Sequence, residues 1–134
     1  MVRLEIAALY AGINILILLV LGALVVRNRI SHKIALGDAG DKNMLRIMRA
    51  HANASEYIPA GLVGILILAL LDPGAPLWLL HASGISLTAG RIFHAIGLHT
   101  GTLNLGRRAG TVLTFAAYAL MGFGLIYAGL AQRL

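Results

Sequence analysis

The apolar positions of this chain fall into four long runs separated by short polar stretches. The runs cover approximately residues 4–26, 44–71, 77–98 and 107–130. An α-helix needs about 20 mostly apolar residues to cross a bilayer, so each run is predicted to be a membrane span. The first, interrupted only by Asn14, is too long for a signal-peptide core. It ends in Arg27 and Arg29 without a small-residue cleavage site, which predicts a retained span. A basic connector over 27–43 carries Arg27, Arg29, Lys33 and Lys42, with a turn at Gly37-Asp38-Ala39-Gly40. Asp72-Pro73-Gly74-Ala75-Pro76 reads as a tight turn, and a Gly-rich connector runs from His99 to Gly106. The expected architecture is all-α: one domain over 1–134, an integral membrane four-helix bundle with almost no soluble mass on either side.

Composition supports lipid as the solvent. The chain is 59% hydrophobic and 12% charged, against about 45–50% and roughly 25% in soluble domains. The net charge of +6 sits between the spans and forms no solvated stripe, so nucleic acid is not an expected partner. There is no cysteine, which excludes disulfides, thiolate metal sites and a cysteine nucleophile; no metal is expected. Four Lys or Arg lie in the first connector, Arg107 and Arg108 close the third, and the second has none. The positive-inside rule then faces both basic connectors to the cytoplasm and both termini to the other side.

Ionisable residues inside spans are expensive, and a functional role is their default reading. In the second span Arg46, Arg49, Asn53, Glu56, Tyr57 and Ala60 follow at steps that keep to one helix face. The third span, running antiparallel, brings Arg91, His94 and Leu98 to the same half of the bilayer, and Arg107 and Arg108 open the fourth at that level. Four or more arginines thus meet one glutamate in a partly dehydrated place, and the surplus calls for an anion, either a lipid headgroup or a ligand. Plainer roles stand beside this one. Arg46 can snorkel to phosphate, Arg49 and Glu56 can lock helices together, and His94 can be a hydrogen-bonded core residue. His51 points almost opposite to Arg49 and is expected to pack or to meet a neighbouring subunit. His81 and His99 read as interfacial, Asn14 as an interhelical hydrogen bond, and Pro59 as a local kink.

The string Arg49-Ala50-His51-Ala52-Asn53-Ala54-Ser55-Glu56-Tyr57-Ile58-Pro59 resembles the signature of the membrane-associated proteins in eicosanoid and glutathione metabolism, the MAPEG family. Gly90-Arg91-Ile92-Phe93-His94 and Arg107-Arg108-Ala109-Gly110 match at their positions, and the likeness covers essentially the whole chain. The resemblance, that of a bacterial family member similar to microsomal glutathione transferase, implies a homotrimer in the inner membrane with sites between subunits. It implies glutathione as co-substrate, held by Arg49, Asn53, Glu56 and Tyr57 with help from Arg91 and His94. Arg27 or Arg29 at the end of span one would approach the ligand. Arg107, with Arg108 close behind, would stabilise the thiolate from across the interface. Leu98 stands where animal members often carry Tyr, so one ligand contact is missing.

The chemistry suits these residues. Glutathione has two carboxylates and one ammonium, which arginines and a lone glutamate balance. A thiol near pKa 8.5 is mostly protonated at neutral pH, and lowering that value by about two requires roughly 2.7 kcal/mol, within reach of a nearby cation in a dry site. A lipophilic electrophile would enter from the bilayer. The expected function is glutathione transfer, with peroxide reduction as a related activity. Alternatives are a trimer that binds glutathione or lipid without turnover, a small multidrug transporter and a haem or quinone protein. The transporter needs a central glutamate in span one, whereas Glu5 sits at its end. The haem reading needs His51 and His94 to face each other.

Overall fold

The computed structural model describes residues 1–71, 75–101 and 104–131. The described chain forms four helices, α1 (Val2–His32), α2 (Lys42–Leu70), α3 (Leu77–Thr100) and α4 (Leu105–Ala131), packed as a bundle. The tight turn expected at Asp72-Pro73-Gly74 lies outside the described residues. At 1.5 Å per residue, the shortest helix, α3, is about 36 Å long, more than the roughly 30 Å of bilayer hydrocarbon. Helices α1, α2 and α4 are also apolar enough to cross a membrane. α3 is long enough but less apolar, because Ser83, Arg91 and His94 lie on it. All three are buried against the neighbouring helices.

The helices overrun the apolar runs. α1 continues through Arg27 and Arg29, so these belong to its last turns and not to a connector. Apolarity does not set the stop; a C-cap does. Lys33 adopts the left-handed conformation at φ 54°. Its N–H reaches the Ile30 carbonyl at 3.3 Å, and the Ile34 N–H reaches the Arg29 carbonyl at 2.9 Å, the bonding of a Schellman cap. Buried Ile34 anchors that end. α2 starts at Lys42 because the Asp41 carboxylate accepts from the N–H groups of Asn43 (2.7 Å) and Met44 (3.2 Å), an N-cap arrangement. Those two donors hold the Asp41 carboxyl below its ordinary range.

The core joins Ile65 and Leu68 of α2, Leu80 and Leu87 of α3, and Ala117 and Met121 of α4. α1 attaches through polar contacts as well as packing. Asn14, fully buried, donates to Thr88 Oγ1 at 2.8 Å and to the Tyr10 carbonyl at 2.9 Å. It is the interhelical hydrogen bond expected from the sequence. The Tyr10 hydroxyl bonds His81 Nδ1 at 3.0 Å, giving His81 a specific partner. Pro59 lies within α2, which runs on to Leu70.

The tightest seam joins α3 and α4, where glycines let the backbones touch. A Cβ at Gly110 would come within 2.5 Å of the His94 nitrogen and 2.7 Å of the Gly90 carbonyl. No larger residue fits without moving a helix, and small residues at such crossings let membrane helices approach closely.

Candidate functional site

The polar face of α2 meets the ends of α3 and α4 in a cavity of about 230 Å³. Arg46, Arg49 and Asn53 line it from α2, His94 and Leu98 from α3, and Arg107 from α4. Among the described residues three arginines and no carboxylate face this space, so its lining favours an anion.

Local structure sets each position. Residues 46, 49 and 53 are spaced by three and four, which stacks them on one side of α2. Arg107 owes its place to Asn104, which the sequence reading passed over. Asn104 Oδ1 accepts from the Arg107 N–H at 3.0 Å, while its Nδ2 donates to the Gly97 carbonyl at 2.7 Å and to Thr100 Oγ1 at 3.0 Å. One side chain therefore caps α4 and fastens it to the end of α3. Gly97 completes the junction, because a Cβ there would collide with the Arg107 backbone nitrogen.

Arg91 lies behind the cavity, 2% exposed. Its Nη1 donates to Asn53 Oδ1 at 2.6 Å, Nη2 donates to Thr114 Oγ1, and its face lies 4.9 Å from the Tyr57 ring centroid. Nε is buried without a hydrogen-bond partner. The Tyr57 ring packs edge-on against Tyr118 and tilted against Phe115, and the Tyr118 hydroxyl donates to the Tyr57 carbonyl at 2.6 Å. Arg91 is thus held on three sides and fixes Asn53, which faces the cavity.

Of the residues singled out in the sequence, Arg49, Asn53, His94 and Arg107 come together in one cavity, with Arg91 and Tyr57 directly behind it. Glu56, Arg27 and Arg108 do not join them; each is exposed. Arg29 ties the end of α1 to its surroundings, with Nη1 3.5 Å from the Ile34 carbonyl and Nη2 3.6 Å from Met48 Sδ. His51 packs on α1, its Nε2 3.4 Å from where a Gly22 Cβ would stand, away from the cavity that His94 lines. Among the described residues no group of three or more metal-ligating His, Asp or Glu side chains occurs. Thr114 was missed because a threonine in an apolar run carries no charge signal.

Four packed helices, apolar outside and cationic in one internal cavity, define a multi-pass integral membrane protein. The chain belongs to the MAPEG family, whose profile matches residues 7–127. It is 39% identical over 116 residues to "Inner membrane protein YecN" of Escherichia coli strain K12, covering 87% of this chain and 86% of that protein. The YecN protein of Escherichia coli O6:H1 strain CFT073 is equally similar, over the same shares. No solved structure matches.

Proposed function

We propose that this protein is a glutathione-dependent transferase of the bacterial inner membrane, which activates the glutathione thiolate for attack on lipophilic electrophiles. The observation that carries this reading is the cavity lined by Arg46, Arg49 and Arg107 together with Asn53 and His94. Arg49 and Arg46 suit the two carboxylates as planar forks, Asn53 is fixed by Arg91 to offer a neutral polar contact, and Arg107 is the cation for the sulfur. The thiolate sulfur forms a bond to an electrophilic carbon, whose leaving group departs with the bonding pair; the thiol proton passes to water. With a lipid hydroperoxide as acceptor, attack on the outer oxygen breaks the O–O bond, releases the alcohol and leaves a sulfenic acid, which a second glutathione converts to the disulfide and water.

A cavity of about 230 Å³ is below the range of about 300–1,000 Å³ usual for small-molecule sites. A neighbouring subunit supplies the remainder in this reading. Exposed Glu56, Arg27 and Arg108 are poorly placed against lipid, and a homotrimer would bury them at shared interfaces, bringing Glu56 to the ligand's ammonium. The Lys and Arg distribution supports a cavity in the cytoplasmic half, with both termini on the other side. A second reading, binding of glutathione or lipid without turnover, draws on Arg91, whose guanidinium is engaged by Asn53, Thr114 and Tyr57. Stopped-flow ultraviolet absorbance during a glutathione titration in detergent tests the proposal. A thiolate band at neutral pH is the expected result; binding by calorimetry without that band would overturn the transferase.

A further inference from the structure

At the end of the bundle opposite the arginine cavity, a groove of about 940 Å³ lies between the start of α3 and the second half of α4. Leu79, Ala116, Ala119 and Leu120 form its floor and walls, and Trp78 and Tyr127 stand exposed at its rim. Ala75 also lines it, and the Ala75 carbonyl accepts a hydrogen bond from Arg3 Nε at 2.9 Å. An apolar trough therefore ends beside a guanidinium.

We infer that this groove binds one anionic phospholipid of the bilayer leaflet, its acyl chain along α4 and its phosphate at Arg3. Length supports a chain: residues 116 to 131 of α4 span about 22 Å along the axis, more than the roughly 15 Å of one hydrocarbon leaflet. Depth supports a lipid, because Trp and Tyr favour the membrane–water interface and here mark the mouth. Charge sets the headgroup. Among the described residues the hydrogen bond Arg3 makes is from Nε to Ala75, and the two Nη groups of a guanidinium suit a two-point contact with phosphate oxygens. Glu5, two residues on, points to a different side of α1. The site is remote from the cavity assigned to glutathione, so it stands or falls independently of the transferase.

Native mass spectrometry of the full-length protein in mild detergent tests it, with phosphatidylglycerol and phosphatidylcholine of identical chains as competing probes. The wild type is expected to retain phosphatidylglycerol preferentially. Arg3→Gln is expected to shrink that preference about fivefold, the effect of one basic residue at an anionic lipid surface. Ala119→Trp, which fills the trough, is expected to lower retention of both lipids and leave the oligomeric mass unchanged. Equal retention of the two lipids by wild type and Arg3→Gln would overturn the headgroup assignment. An oligomer that dissociates in Ala119→Trp would overturn the lipid, because the groove would then hold a second copy of the chain.

Discussion

Replacing Thr114 by valine keeps the side-chain volume and deletes one hydroxyl. That hydroxyl accepts from Arg91 Nη2 and donates to the Gly110 carbonyl at 2.8 Å. Two general magnitudes compete. A hydrogen bond to a charged group contributes about 1.5–3 kcal/mol, whereas interhelical bonds inside membranes average only about 0.6 kcal/mol, because the freed group finds another partner. Here the larger figure wins. Arg91 is 2% exposed, its Nε already lacks a partner, and Nη1 is committed to Asn53. No other acceptor meets Nη2 among the described residues. Thr114→Val is therefore expected to destabilise the protein by about 2 kcal/mol, read from SDS-induced unfolding in mixed micelles. Thr114→Ser keeps the hydroxyl and should recover most of that loss. A valine variant within about 0.5 kcal/mol of wild type, the scale of an inert surface substitution, would refute the claim that Arg91 depends on Thr114.

Four further outcomes are expected. Arg49→Ala should weaken glutathione binding by about 1.5–3 kcal/mol in calorimetry, with Arg49→Lys recovering only part because an ammonium lacks the planar fork. Arg107→Ala should leave glutathione bound but raise the pKa of its sulfur, so that thiolate absorbance returns only at higher pH; Arg108→Ala should not, and normal spectra in both variants and the double variant would rule out the mechanism. Gly110→Ala forces a Cβ against the Gly90 carbonyl and should destabilise by about 1–3 kcal/mol of overpacking, measured by the same SDS titration. Asp41 has its carboxyl pKa lowered by folding, so its cap stabilises above the unfolded carboxylate pKa of about 3.9 and is lost as pH falls through the folded value. Asp41→Asn should flatten that acid limb of the stability profile.

Much of the fold was legible because the bilayer imposes a coarse code: long apolar runs must be helices, and polar interruptions must face protein. Asn14 was readable for that reason, and so was the gathering of Arg49, Asn53, His94 and Arg107 at one depth. Helix ends were not, because α1 runs on past its apolar stretch and a Schellman cap at Lys33, invisible to hydropathy, sets its limit. The partners of Arg91 were hidden for a different reason. A guanidinium announces that a partner is needed without naming it, and Thr114 and Tyr118 look like ordinary residues of an apolar helix. Asn104 was lost among the glycines around it, although an asparagine three residues before Arg107 is an N-cap signal in retrospect. Family resemblance suggested the ligand; side-chain spacing alone specified only an anion.

The burial of Arg91 also constrains how the chain enters its membrane. Its partners lie on α2 and α4, and α3 alone is not apolar enough to cross. A lone α3 would have to carry an unpaired guanidinium into hydrocarbon, at a cost of at least about 2.5 kcal/mol even on the mildest insertion scale. Release of α3 to lipid is therefore expected to need α2, which supplies Asn53, and to be completed by α4, which supplies Thr114. With glycine backbones that touch, α3 and α4 are suited to enter together as a hairpin, and a chain truncated before Thr114 is expected to integrate α3 poorly.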